Sequence, residues 1–76
     1  MKLSIIGCGR WGSFLAWYLS ERLGYSVLMQ GRNGSASFEE LRSTRKNEYV
    51  TLPESVSFTD SLTEALSYSE TVIISI

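Results

Sequence analysis

The fold is decided by the stretch Lys2-Leu3-Ser4-Ile5-Ile6-Gly7-Cys8-Gly9-Arg10-Trp11-Gly12. Its first five residues are mostly apolar and predict a short buried strand. The glycines end that strand, and the run Gly7 to Gly12 fits the pattern G-x-G-x-x-G. Gly7 would allow a tight turn, Gly9 would let the backbone approach a pyrophosphate, and Gly12 would allow close packing of the next helix. The plainer alternative is that these glycines only turn a corner, but their position between a strand and a helix favours a dinucleotide site.

Strands and helices alternate along the rest of the chain. After the first strand, the periodicity and the turn signals predict a helix over 11–23, a strand over 25–29, a helix over 37–47, a strand over 56–59, a helix over 61–68 and a strand over 71–76. The order βαβαβαβ predicts an α/β fold, a parallel sheet with helices on both faces. In the Rossmann-type arrangement the strand order is 3-2-1-4, and here the sheet is expected to be truncated after strand four.

Local signals predict the ends and the buried faces of the helices. Gly24 is the expected stop of the first helix, whose apolar face is formed by Trp11, Phe14, Leu15, Tyr18, Leu19 and Leu23. Ser37-Phe38-Glu39-Glu40 and Ser61-Leu62-Thr63-Glu64 each have the spacing of a capping box at a helix start. The inward-facing residues expected on the second and third helices are Phe38, Leu41, Ala65 and Leu66.

The composition is that of a small globular chain. Hydrophobic residues make up 43% of the 76 residues and charged residues 20%, with a formal net charge of -1. This charge balance excludes the basic footprint of a nucleic-acid binder, and no apolar stretch approaches the roughly 20 residues of a membrane span. Cys8 is the only cysteine, so no intrachain disulfide can form, and we expect a cytoplasmic protein.

The length indicates one partial domain over residues 1–76. Domains of this class usually have roughly 100 to 200 residues, and an apolar strand at the very end of a chain would leave an exposed edge. We therefore interpret the chain as the N-terminal part of a longer protein. By itself, it should expose an apolar surface around Val72, Ile73, Ile74 and Ile76.

The residues after the second strand bear on the choice of cofactor. An enzyme that uses NAD commonly has Asp or Glu about 20 residues beyond the glycine motif, where the acid bonds the ribose hydroxyls. This chain has Gln30, Gly31, Arg32 and Asn33 there, and no acid before Glu39. Arg32 could instead bond the 2′-phosphate of NADP, so NADP is preferred over NAD. The alternative for Arg32 is a solvated loop arginine.

Four segments together resemble the NAD(P)-dependent glycerol-3-phosphate dehydrogenases, and they cover the whole chain. Residues 7–13, GCGRWGS, are similar to the G-x-G-x-W-G-T/S opening of that family, and Gly31-Arg32-Asn33 resembles the turn after its second strand. Residues 45–53, RKNEYVTLP, are similar to its R-x-N, aromatic and leucine-proline loop. Residues 56–76 resemble its strand, T-D-x-x-x-A-L helix and apolar strand. The chain departs from the family at Arg10, where Ser or Asn is usual, and at Phe14, where a small residue is usual.

The resemblance implies reduction of dihydroxyacetone phosphate to sn-glycerol 3-phosphate with NAD(P)H, or the reverse reaction. It implies cofactor contacts for the residues matching Arg10, Trp11, Arg32 and Tyr49, beside the three glycines. The family's catalytic lysines and its site for the small phosphorylated substrate would lie after residue 76, partly in a helical C-terminal domain absent from this chain. No catalytic residue is therefore assigned here, and the 76 residues alone are expected to be inactive. A homodimer is left open.

Two other functions remain open at this point. Another reductase with a similar N-terminus, of the ketopantoate reductase or 6-phosphogluconate dehydrogenase type, would share residues 1–12 but would be less expected to share residues 45–53. A domain that senses nucleotides without catalysis would have the same fold and no chemistry.

Overall fold

The computed structural model describes residues 1–75 as one four-stranded parallel sheet with three α-helices. The elements in chain order are β1 (Lys2–Ile6), α1 (Arg10–Trp17), a π-helical turn (Tyr18–Arg22), β2 (Ser26–Gln30), α2 (Ala36–Thr44), β3 (Val56–Thr59), α3 (Leu62–Tyr68) and β4 (Val72–Ile74). The strand order is β3-β2-β1-β4. These observations confirm the predicted Rossmann-type α/β fold with strand order 3-2-1-4. Ile76, the last residue of the predicted fourth strand, lies outside the described residues.

The side chains of the central strand β1 alternate between two layers of helices. Leu3 and Ile5 belong to the main buried cluster, to which α1 and α2 also contribute. Ser4, between them, is fully buried, and its hydroxyl donates a hydrogen bond of 2.6 Å to the carbonyl of Ala65 in α3. Because a buried hydroxyl needs a partner, this bond holds α3 against the opposite face of the sheet.

The buried face of the first helix differs from the prediction. Small side chains face the sheet, and the buried residues of α1 and its π-helical extension are Gly12, Ser13, Ala16 and Ser20. Four of the six residues predicted to form the apolar face are exposed, namely Trp11, Phe14, Tyr18 and Leu23. The reason is the close approach of α1 to the glycine turn: even a Cβ atom on Gly12 would lie 2.5 Å from the carbonyl oxygen of Gly7, so only small side chains fit on this face. Leu15 and Leu19 are half-buried against the core.

Helix ends follow the local signals in part. Gly24 has φ +74 and ends the first helical segment as predicted. Ser61 accepts a hydrogen bond of 3.1 Å from the N–H of Glu64, so the predicted cap of α3 is confirmed. The predicted cap at Ser37 is wrong, because α2 begins after Ser35. In its place, the carboxylate of Glu39 accepts a hydrogen bond from the N–H of Gly34.

Three of the four predicted inward-facing residues on the second and third helices are confirmed. Phe38, Leu41 and Ala65 are fully buried, whereas Leu66 is exposed and its prediction is wrong. Helix α2 ends at Thr44 rather than at 47, because Arg45 adopts a left-handed conformation with φ 63. No helix in residues 1–75 is long and apolar enough to cross a membrane.

Candidate functional site

The glycine turn lies at the carboxyl end of β1, and each of its glycines has different surroundings. Gly7 has φ +117, a conformation that residues with a side chain rarely adopt, and its N–H donates to the carbonyl of Gln30 at the end of β2. A Cβ atom on Gly12 would lie only 2.5 Å from the carbonyl oxygen of Gly7. A Cβ atom on Gly9 would meet no atom within 4 Å. The turn is therefore closed on the side of Gly12 and open on the side of Gly9.

Helix α1 begins directly after this open position. Gly9 is its N-cap residue, no side chain caps the helix, and its first turn contains no acidic residue. The first N–H groups of a helix have no acceptor within the helix, and the helix dipole makes that end positive. The open side of the turn is consequently suited to an anion such as a phosphate.

A cavity of about 530 Å³ lies beyond the carboxyl ends of β1 and β2. Its lining includes the glycine turn and the end of β2, contributed by Ile6, Gly7, Cys8, Gly9, Gln30, Gly31, Arg32, Ser35 and Ser75. Ligands of open parallel α/β sheets bind in this crevice, outside the carboxyl ends of the strands. Gly31 keeps the cavity wall close to α2, because a Cβ atom there would overlap the ring of Phe38.

The end of β2 presents an amide and a guanidinium to this cavity, and its lining includes no carboxylate. The side-chain amide of Gln30 donates to the carbonyls of Gly31 and Asp60, at 3.3 and 3.4 Å. Arg32 follows at the start of a tight turn closed by a hydrogen bond from the N–H of Ser35 to its carbonyl. The Arg32 side chain is exposed and forms no ion pair with any residue of 1–75. A negatively charged group in the cavity would thus meet one cation and no acid.

Arg10 and Tyr49 form the second half of the site. The Arg10 guanidinium lies 5.0 Å from the centre of the Tyr49 ring and donates a hydrogen bond of 3.3 Å to its hydroxyl. This hydrogen bond is the main cause that raises the pKa of Arg10 above its ordinary value. The pair borders a second cavity of about 690 Å³, which shares Cys8 and Gly9 with the first.

The structure thus brings most of the predicted site residues to one edge of the sheet. Gly7, Gly9 and Arg32 line the first cavity, and Arg10 and Tyr49 line the second. Gly12 lies beneath the turn. Trp11 points outward, is 68% exposed, and packs edge-to-face on Phe14 with 6.3 Å between ring centres. It lines neither cavity.

Two residues of the site were missed by the sequence reasoning. Asn47 donates a hydrogen bond of 3.0 Å to the hydroxyl of Ser13, which in turn donates one of 2.7 Å to the carbonyl of Gly9. A signal for Asn47 existed, because an Asn in a loop often bonds the backbone two or three residues further on. No comparable signal indicated that Ser13 would be fully buried.

The fold and the glycine turn define a Rossmann-type α/β domain, and the comparisons with known proteins identify its family. Residues 2–76 match the family described as NAD-dependent glycerol-3-phosphate dehydrogenase N-terminus. The chain belongs to this family. No solved structure matches it significantly.

Curated relatives carry the same name. The chain is 39% identical over 79 residues to glycerol-3-phosphate dehydrogenase, NAD(P)+, of Thermoanaerobacter sp. strain X514, a match that covers all of this chain and 23% of that protein. It is 35% identical to the protein of the same name from Nitrosomonas eutropha, over 97% of this chain and 23% of the relative. For Corynebacterium glutamicum strain R the identity is 34%, over all of this chain and 24% of the relative. The chain spans about a quarter of the length of these relatives.

Proposed function

We propose that this chain is the dinucleotide-binding N-terminal part of a glycerol-3-phosphate dehydrogenase, which interconverts dihydroxyacetone phosphate and sn-glycerol 3-phosphate. The observation that carries the proposal is the open side of the glycine turn. The missing Cβ of Gly9, the uncapped start of α1 and the adjoining cavity fit a pyrophosphate. The dinucleotide, when bound, supplies or accepts the hydride. The cytoplasmic location and a homodimer belong to the same proposal.

Each residue of the site has a distinct proposed role. The first N–H groups of α1 and the backbone of Gly9 hold the pyrophosphate. The Arg10 guanidinium, kept beside this turn by Tyr49, adds a positive charge. For Trp11 a cofactor contact rests on the family resemblance alone, because its ring is exposed on α1 and lines neither cavity. We assign no acid, base or substrate-binding residue to this chain, so the reaction requires residues beyond 76.

The activity can be tested on the protein expressed from its complete reading frame. We expect reduction of dihydroxyacetone phosphate with NADPH or NADH, and no turnover of ketopantoate or 6-phosphogluconate. The 76 residues expressed alone should show no reductase activity, because they position no carbonyl group. Turnover of one of the other two substrates would assign the protein to another reductase class. Cofactor binding without any turnover would indicate a nucleotide sensor.

Cofactor choice is the finer part of the proposal, and Arg32 is the residue that would set it toward NADP. A guanidinium can bond a phosphate through two nitrogens at once, and the cavity offers no carboxylate to bond a free 2′-hydroxyl. Because the Arg32 side chain is exposed, solvent screens the interaction.

Titrations of both cofactors test this role of Arg32. In the complete protein, Arg32→Ala should weaken NADPH binding by roughly tenfold and leave NADH binding unchanged. Arg22→Ala, which removes an exposed arginine from the π-helical turn, is the matched control and should change neither affinity. If NADPH binds equally well to wild type and Arg32→Ala, Arg32 is a loop charge and the NADP preference is rejected.

A further inference from the structure

Asn47 connects the loop after α2 to the glycine turn through its side chain. Its side-chain amide oxygen, Oδ1, accepts hydrogen bonds from the backbone N–H groups of Tyr49 and Val50, at 2.9 and 3.0 Å. Its own N–H donates to the carbonyl of Val50 at 3.0 Å. Its amide nitrogen donates to the hydroxyl of Ser13 at 3.0 Å. One half of the side chain thus shapes the loop that carries Tyr49, and the other half reaches α1.

Ser13 passes this connection to the backbone of Gly9. Its side chain is fully buried in the first turn of α1, and its hydroxyl donates to the Gly9 carbonyl at 2.7 Å. The N–H of Ser13 donates to the same carbonyl at 2.9 Å. With two donors on one oxygen, the orientation of the peptide between Gly9 and Arg10 is fixed. That peptide also contributes the first N–H group at the start of α1.

We infer that Asn47 is a positioning residue for the dinucleotide: it aligns the Gly9–Arg10 peptide through Ser13, and it places Tyr49 against Arg10. It does this without bonding the cofactor itself. The inference rests on the proposed function, because it assigns the pyrophosphate to the glycine turn. It adds that the loop between α2 and β3 and the turn after β1 act together as one binding unit. If Asn47 served only folding, its replacement would lower the stability of the protein without changing its affinity for the dinucleotide.

A double-mutant cycle measures this coupling in the protein expressed from its complete reading frame. Asn47→Ala and Ser13→Ala should each weaken NADPH binding by roughly tenfold, and the double variant should be little weaker than either one. Glu54→Ala, an exposed position in the same loop, is the control and should bind as wild type does. Fully additive effects of the two substitutions, or an unchanged affinity in Asn47→Ala, would overturn the inference.

A second measurement needs no cofactor. In amide NMR spectra of the unliganded protein, Asn47→Ala should shift the signals of Gly9 and Arg10, although position 47 is remote from them in sequence. Asn47→Asp should leave Tyr49 and Val50 close to their wild-type signals, because a carboxylate still accepts their N–H bonds. It should shift Gly9, because it also accepts the proton that the Ser13 hydroxyl otherwise gives to the Gly9 carbonyl.

The two readouts separate the failure of this inference from the failure of the proposed function. If wild type binds no dinucleotide, the proposed function fails, and the NMR shifts still report whether Asn47 aligns the turn. If wild type binds and the Gly9 and Arg10 signals do not move in Asn47→Ala, the positioning role is rejected and the proposed function stands. A lower melting temperature with unchanged affinity and unchanged Gly9 signals would mark Asn47 as structural only.

Discussion

Gly9 and Gly12 belong to one turn, but a side chain would have opposite effects at these two positions. At Gly12 a Cβ atom would lie 2.5 Å from the Gly7 carbonyl oxygen, so α1 would have to move away from the turn. Gly12→Ala should therefore destabilise the protein by about 1–3 kcal/mol, the range for overpacked sites. At Gly9 the added Cβ meets no protein atom, and its φ of -76° suits any residue. Gly9→Ala should cost less than about 1 kcal/mol of stability, the loss of a glycine N-cap.

The effects of the two substitutions on dinucleotide affinity should have the reverse order, with Gly9→Ala weakening binding more than Gly12→Ala. The Cβ of Gly9→Ala would occupy the open side of the turn and weaken NADPH binding by roughly tenfold or more. Paired measurements of denaturant unfolding and cofactor titration on both variants check this prediction. Equal loss of stability in the two variants would contradict the difference in packing between Gly9 and Gly12. Wild-type affinity in Gly9→Ala would show that the pyrophosphate does not lie on the open side of the turn.

At the scale of an element, the carboxylate of Glu39 bonds the first part of α2 to the turn before it. The Arg42 guanidinium donates to both oxygens of Glu39, at 2.7 and 2.8 Å, and the Gly34 N–H donates to one of them at 3.2 Å. These bonds, with Arg42 as the larger cause, lower the pKa of Glu39 below its ordinary value. Because the folded state favours the charged form, this contribution to stability is complete above the ordinary pKa. It is lost as pH falls through the lowered pKa.

The test is the pH dependence of unfolding in Glu39→Gln. This variant should be less stable than wild type near neutral pH, and the difference should shrink as pH falls from about 6 to about 3. Glu40→Gln removes a neighbouring exposed carboxylate that accepts no hydrogen bond from residues 1–75, and it should keep the wild-type slope. A difference between Glu39→Gln and wild type that stays constant across this pH range would contradict the prediction.

The same element shows where prediction from sequence works and where it stops. The two buried anchors of α2, Phe38 and Leu41, follow from their apolar character and are confirmed. Its start does not follow, because Ser37 and Glu40 have the spacing of a capping box while the helix uses Ser35 and Glu39. Ser35 is the N-cap residue, but its hydroxyl accepts no hydrogen bond from a backbone N–H in the first turn of α2, and Glu39 lies four residues further on instead of three. The observed start of α2 therefore follows no capping-box spacing that the sequence could have revealed.

In the candidate site, too, some features could be predicted from the sequence and others could not. The strand-turn-helix context predicted the position of the glycine turn, because the spacing of glycines reflects backbone conformation directly. It did not predict the small buried face of α1. A count of apolar residues cannot reveal how near a helix lies to its sheet, and that distance depends on Gly12. The bond between Asn47 and Ser13 joins residues 34 positions apart and depends on the docking of the loop.

For the whole molecule, the sheet edge at β4 is the feature with the clearest consequence. Among the described residues β4 pairs with β1 alone, and its outer backbone groups have no strand beside them. Ile74 is 69% exposed on this edge, and Val72 and Ile73 are only half-buried. An exposed apolar edge strand is a template for pairing with another chain. The 76 residues expressed alone should therefore self-associate.

Sedimentation velocity across a range of protein concentrations measures this association. The average sedimentation coefficient of the 76-residue chain should rise with protein concentration. Ile74→Lys should shift the distribution toward monomer, because a charged side chain on an edge strand opposes edge-to-edge pairing. Leu62→Lys is the matched control: it places the same charge on an equally apolar, half-exposed position of α3, away from this edge, and should associate as wild type does. A monomer that persists at all concentrations and unfolds cooperatively would show that the four-stranded unit is self-sufficient. If both lysine variants reduced association equally, general charge repulsion would be the cause and not the edge of β4.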